Sequence, residues 1–338
     1  MAPLQRLFKP AAEALGATSF SGRSWARPWR QPAGRPRIAV IGNCQATGVA
    51  QSLRLLLPAA EVETILLAGA GRRFGTVDRL APHLQEHDFV FSHFFPVGFL
   101  AGGNVHALAA RVPALRLFPT ILFSGFHPDL VHVGDEASLR LSRLVPSPIG
   151  AYHSAIALQA FRRGLSVDAA LRMFDGPVFE RLGYFDHWEA SAAYLLRTAR
   201  DVGFGLEREF ARWSRGGIFM HVINHPRLTV LADIARRLAR EAGCDPLDIP
   251  VEAYAPDALA AEPVWPVLPA IAERYGVAAS TLFKGDGRRG PPRLLDLPDF
   301  VAESFALYAR HRPDDLGCSR VTAWEADAGI GALFDEAA

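Results

Sequence analysis

Hydrophobic and polar positions along the chain follow two regimes that change near residue 150. From residue 37 to 123, short apolar runs rich in β-branched and aromatic residues alternate with stretches whose apolar positions recur three and four apart. RIAVI (37–41), EVETILL (61–67) and DFVFS (88–92) predict strands, and LRLFPTILF (115–123) predicts a fourth, interrupted by Pro119. Between them, residues 47–57 place Val49, Leu53 and Leu56 on one helical face and stop at Pro58, while 80–86 and 105–110 predict shorter helices. Strands and helices alternating at this pitch predict an α/β fold with an open, mainly parallel sheet. Ligands of such sheets sit at the carboxyl ends of the strands. Three polar loops fall there: Asn43-Cys44-Gln45, Ser92-His93 and 124–129.

From Tyr152 onward the period becomes helical. HSAIALQAFRRGL, VDAALRMF and HWEASAAYLLRTARDVG predict an additional helical layer, and LTVLADIARRLAREAG a strongly two-faced helix ended by Gly243. Residues 245–298 hold many prolines and predict irregular structure with short helices. A last helix is expected over 297–311 with Asp299 as its cap, followed by a loose tail. The expected organisation is a disordered basic arm (1–36), an α/β catalytic domain with a helical insertion (37–245), and a C-terminal extension packing on the core (246–338).

Composition narrows the function classes. Half of the 338 residues are hydrophobic and 21% are charged, enough for one large core or two smaller ones. A net charge of +1 excludes a broad nucleic-acid footprint. Cys44, Cys244 and Cys318 are odd in number and far apart, with no CxxC pair. Neither a disulfide framework nor a cysteine zinc site is expected, and a reducing cytoplasm is the expected location. No apolar run is long enough to span a bilayer, and the basic N-terminus lacks the apolar core of a secretory signal. Its arginines, Trp25 and Trp29 offer an alternative role in contacting an anionic membrane or a partner.

Candidate chemistry begins at GNCQ. A cysteine at a strand-to-helix turn meets unpaired N–H groups and the positive end of the helix dipole, which together favour the thiolate. The same N–H groups could bind an oxyanion or phosphate, with Asn43 or Gln45 adding an amide donor. A small buried residue filling a tight turn is the competing reading. GNCQATG has neither the glycine spacing of a dinucleotide fingerprint nor the ending of a Walker loop, so neither NAD nor a nucleoside triphosphate is indicated. In TILFSGFHPD, an apolar strand empties into Ser124-Gly125. His127 is a candidate general base near neutral pH, with Asp129 the nearest group able to orient it. MHVINHP supplies His221, Asn224 and His225, but no Glu completes an HExxH zinc motif. The histidines are expected to line a ligand cleft or to satisfy polar groups under the helical layer, and no metal is expected, although His127, Asp129, His221 and His225 form a conceivable set. Ser154 in AYHS reads as a helix cap, with His153 beside it. Lys284, Arg288, Arg289 and Arg293 in a glycine-rich loop suit cofactor phosphates or a solvated basic loop.

Taken in order, GNCQ, FSGFHPD, YHS with GYFDHW, and HVINHP resemble the WcbI-like polysaccharide biosynthesis family over about residues 37–245, and WPVLPAIAERYGVAASTLFK looks like its tail. The turn itself looks like the first block of SGNH hydrolases with Cys in place of Ser. The resemblance implies an acetyltransferase that takes acetyl-CoA and a sugar or polysaccharide precursor of a capsule or other surface glycan. It also implies a catalytic pair carried by Cys44 and His127. Asn43, Gln45, Ser124, His221, Asn224, His225 and Lys284 are the expected contacts with coenzyme A. No DxxH block supplies a further histidine, which departs from the hydrolase pattern. A thiol esterase or deacetylase acting on a glycan, or a non-enzymatic glycan-binding module, are the alternatives.

Overall fold

Four apolar residues in a row, Ile38 to Ile41, leave no face for water, and all four are fully buried in strand β1 (Arg37–Gly42). The computed structural model describes residues 34–135, 143–288 and 290–337. The basic arm expected over 1–36 lies outside the described residues up to residue 33, as does Arg289 of the glycine-rich loop. β1 pairs in parallel with β2 (Glu61–Leu66) on one side and β3 (Phe89–Ser92) on the other, and β4 (Leu115–Leu117) adds beyond β3. The order β2-β1-β3-β4 puts a topological switch beside β1, and in open α/β sheets ligands bind beyond the carboxyl edge at such a point. The Cys44 turn and His93 stand at that edge.

The fourth strand is shorter than its apolar run. Pro119 has no N–H to give a ladder, and the donors around it find other partners. Phe118 N–H reaches Ser92 O at 3.0 Å, Phe123 N–H reaches Ile223 O at 2.8 Å, and Ile121 N–H is taken by the Gln45 side chain at 2.9 Å.

The first helix, Gln45–Leu56, begins two residues earlier than its apolar pattern, because Asn43 Oδ1 accepts the Gln45 N–H at 3.0 Å and holds the turn. Its buried face packs on the helix Leu228–Glu241. Gly48 permits the approach, since a Cβ there would sit 2.4 Å from Leu231 Cδ1.

The helical layer is where the period placed it, with helices Ala155–Arg162, Val167–Leu171 and His187–Asp201. Ser154 caps the first of these, accepting Ala157 N–H at 3.0 Å. His153 is buried between Tyr308 OH and Val145 O, a core histidine. Residues 245–298 hold short 3-10 turns, a helix Pro269–Tyr275 and a small hairpin. Two expectations for the C-terminal part need correction. The helix Leu297–Tyr308 is capped by Asp296, which accepts Asp299 N–H at 2.9 Å, because Pro298 suits the first turn and shifts the cap upstream. The tail forms helices Ser319–Glu325 and Ala328–Asp335, anchored by Arg320 on Pro128 O and by the Arg163–Asp335 pair at 2.9 Å. Among the described residues, no helix is long and apolar enough to cross a membrane.

Gln45 is fully buried, and its amide makes three main-chain bonds, to Ile121 N, Ile121 O (2.9 Å) and Asn224 O (2.8 Å). Gln45→Ala strands three buried groups, so it should destabilise the fold by about 3 kcal/mol, read as a lowered midpoint in urea unfolding. An unchanged midpoint would show that these bonds are replaced by water.

A candidate active site at the Cys44 turn

Cys44 occupies the N-cap of the first helix, as GNCQ suggested, and is partly buried. Gly42 is required before it: a Cβ there would lie 2.4 Å from His93 Nδ1 and 3.0 Å from Ala46 Cβ. His93 Nδ1 accepts the Asn43 N–H at 3.3 Å, so the proton of this fully buried, neutral ring sits on Nε2. The thiol does not behave as the turn alone predicts. Burial, with the Glu262 carboxylate adding to it, pushes the Cys44 pKa up to about 11, while the Gln45 and Cys44 N–H groups and Arg288 pull the other way and lose. At neutral pH Cys44 is a thiol, contrary to the expectation of a stabilised thiolate.

His127 and His225 each feel the charge of His221, and the Gln45 amide ties the segments that carry them to this turn through Ile121 and Asn224. His127, expected as a near-neutral base, is 1% exposed, and burial holds its imidazole down at about 3 with only partial opposition from the Trp265 main chain. Neither of its ring nitrogens has a well-aligned hydrogen-bond partner, and the Trp265 main chain is its nearest polar neighbour. Asp129 does not orient it. That carboxylate points instead at Ile156 N–H (3.0 Å) and Tyr184 OH (2.8 Å), securing the start of the helix Ala155–Arg162. His225 is also held down, to about 4, by burial first and by His221 next, and its Nε2 lies 3.7 Å from Glu262 Oε2. His221 alone has an orienting carboxylate: its Nε2 is 2.8 Å from Asp257 Oδ2. Asp257 is itself fixed by the N–H groups of Leu228, Leu259 and Ala260, and these bonds with His221 outweigh its burial and hold its pKa below the usual range. Since a carboxylate only accepts, Nε2 of His221 carries the hydrogen and Nδ1 presents the lone pair.

Other expected contacts are reassigned by their partners. Gln45 cannot offer its amide to a ligand, because the main chain uses it completely. Asn43 Oδ1 serves the turn, and Asn224 Oδ1 accepts from Tyr152 OH at 2.8 Å. Ser124 donates its main-chain N–H to Ser191 Oγ at 2.7 Å, while its own hydroxyl is buried without a partner. Lys284 does not present its ammonium to a phosphate. Nζ is spent on the carbonyls of Ala260 (2.8 Å), Ala261 (3.2 Å) and Glu262 (2.8 Å), where it clamps the loop that carries Glu262. Arg288 is likewise engaged, by Asp286 and by Glu262 at 3.3 Å, and Arg293 pairs with Glu303.

Sequence reasoning missed Tyr152, Asp257, Glu262 and Trp265. Tyr152 and Trp265 open the YHS and WPVLP stretches without having been assigned a role, and Asp257 and Glu262 belong to no motif. Asp257 lies 36 residues beyond His221, and the signal that could have marked it is its position immediately before a short 3-10 turn, as its cap.

The model of the family described as polysaccharide biosynthesis enzyme WcbI matches residues 37–247. The chain belongs to the WcbI family. A solved WcbI structure, described as a novel polysaccharide biosynthesis enzyme in its native form without a disulfide bond between coenzyme A and a cysteine, superposes with a TM-score of 0.59. The overlap covers 90% of this chain and 99% of that one at 15% identity, a likeness of fold. No curated protein matches.

Cys44, His127, His221 and His225 lie within the WcbI-matched segment, whereas Asp257, Glu262 and Arg288 lie beyond it. The electrostatics of this WcbI-family site therefore come partly from the C-terminal extension. Because Glu262 raises the thiol pKa, Glu262→Gln should speed alkylation of Cys44 by iodoacetamide several-fold at pH 8, followed by peptide mass spectrometry. In the parent protein the rate should still be climbing with pH above 9. A plateau near pH 8 would place the thiol in its ordinary range.

Proposed function

We propose that this WcbI-family enzyme transfers an acetyl group from acetyl-CoA to a hydroxyl of a sugar or polysaccharide precursor. The observation that carries this reading is the His221–Asp257 pair, on a segment that the Gln45 amide ties to the Cys44 turn through Asn224 O. The solved relative's description pairs coenzyme A with a cysteine, and we carry that pairing to Cys44.

In this reading the acceptor hydroxyl gives its proton to His221 Nδ1 as its oxygen attacks the thioester carbonyl. The carbon–sulfur bond then breaks, and the proton on Nδ1 passes to the departing CoA sulfur, so His221 is restored. Asp257 keeps the imidazole in the tautomer that leaves Nδ1 free to act and stabilises the imidazolium between the two steps. Cys44 faces the thioester, and the side-chain NH2 of Asn43 lines the place where charge develops on its oxygen. Direct transfer is favoured over an acetyl-cysteine intermediate because a thiol with a pKa of about 11 is a weak nucleophile near neutral pH. His127 and His225, neutral and short of partners, supply polar lining for the acceptor or the pantetheine arm.

Acetyl-CoA consumption in the presence of a panel of sugar acceptors tests the assignment. His221→Ala and Asp257→Asn should each lower kcat about 100-fold or more with little change in coenzyme A affinity, whereas His127→Gln should cost less than about tenfold. The reverse ranking would return the role of base to His127. Acetyl-CoA hydrolysis that no sugar accelerates would overturn transfer in favour of an esterase. Acetylated Cys44 on rapid quench without acceptor would replace direct transfer by a covalent path.

A further inference from the structure

Away from the Cys44 turn, at the free edge of the sheet, Glu63 of β2 meets two histidines one helical turn apart. His83 lies in the helix Val77–Gln85 and His87 just beyond it. Glu63 Oε2 is 2.7 Å from His83 Nε2 and 3.2 Å from His87 Nε2, and the three ligand atoms all lie within 4.8 Å of one another. Among the described residues this is the group of three such side chains that converges, whereas Asp129 of the set around His127 is turned away.

The hydrogen positions make the arrangement more telling than the distances. His87 Nδ1 is 3.2 Å from the His83 carbonyl oxygen, which can only accept, so Nδ1 holds the hydrogen. Nε2 of the neutral ring is then a lone pair aimed at a carboxylate oxygen, acceptor against acceptor. A proton would relieve the clash only by creating an imidazolium. The His87 ring is buried, a poor setting for a free charge. A cation bridging the two lone pairs relieves it without that cost. The surroundings are those of a built metal site. The His83 carbonyl orients the His87 ring in the manner of an outer-shell partner, and Arg73 takes the other Glu63 oxygen at 2.7 Å, turning Oε2 towards the histidines.

We propose that Glu63, His83 and His87 form a binding site for a divalent metal ion of the zinc class, with Glu63 Oε2 and the two Nε2 atoms as ligands and water in the fourth position. Two imidazoles and one carboxylate suit zinc and its neighbours rather than calcium or magnesium, which take oxygen ligands. Tetrahedral ligands at about 2.0–2.2 Å from zinc stand roughly 3.3 Å apart, so two of the three pairs need open by only a few tenths of an ångström. His83 Nε2, which now donates to Glu63, becomes a ligand by moving its hydrogen to Nδ1, and no net proton is lost from the ring. The ion would pin the edge strand to its covering helix on the side of the sheet away from the Cys44 chemistry.

The test uses the full chain after chelator treatment. Cobalt(II) should bind at one equivalent with the visible absorption of a four- or five-coordinate ion, zinc should displace it, and zinc should raise the Tm by several degrees. His83→Gln and Glu63→Gln, both at partly exposed positions, should each weaken cobalt binding about tenfold or more, and His87→Ala should abolish it. Cys44→Ser should leave the signal unchanged. Absence of saturable binding, or binding that survives both His83→Gln and Glu63→Gln, would overturn the site. A near-ultraviolet sulfur-to-cobalt band lost in Cys44→Ser would overturn it too, by placing the metal at the thiol.

Discussion

One buried amide decides whether there is a site at all. Gln45 follows the cysteine, and its side chain bonds both polar groups of Ile121 and the carbonyl of Asn224. Those contacts join three segments that are far apart in sequence: the turn after β1, the extended chain leading to His127, and the bend that carries His221 and His225. A buried main-chain group without a partner costs about 1–3 kcal/mol, so the three segments are held together by the penalty of separating them. Phe123 N–H on Ile223 O adds a second tie between the latter two. The chemistry-bearing residues are placed by backbone satisfaction more than by contact with one another.

Burial then sets the protonation states. The positive end of a helix is worth about 0.3–1 kcal/mol to a nearby anion. Moving a thiol from an ordinary value of 9.0 to about 11 corresponds to roughly 3 kcal/mol against its anion, so enclosure with Glu262 overrides the dipole. The same enclosure keeps His93, His127 and His225 neutral. A neutral thiol and neutral imidazoles favour chemistry in which charge appears on them only as the reaction proceeds, and His221 with its fixed carboxylate is the member equipped to receive it.

The parallel sheet, its order of elements and the helical layer were legible because a fully apolar strand and a two-faced helix announce themselves through period. The ends were less so. β4 stops at Leu117 before Pro119, and the Ile121 donor beyond it goes to Gln45, a competition that no local pattern reveals. Cys44, His221, His225 and Asn224 were legible as a group through the GNCQ and HVINHP stretches. The choice of base was not, since Asp257 arrives from a proline-rich segment without periodic structure. The reading of Lys284 failed for a similar reason. A basic residue in a glycine-rich loop looks available, but three carbonyls in the neighbouring loop already surround its ammonium.

That clamp couples the C-terminal extension to the site. Lys284 organises the 260–262 carbonyls, which present Glu262 to Cys44 and His225, and Arg288 reaches the same carboxylate from the other side. Trp265 N–H on His221 O brings the extension directly onto the histidine bend. The cysteine and histidines thus belong to the family-matched segment, and the carboxylates that tune them belong to a later one. Fold and nucleophilic turn can stay fixed while changes at residues 257–262 alter the thiol pKa or the base. The extension is therefore the part of this chain through which its reactivity can be adjusted without rebuilding the sheet.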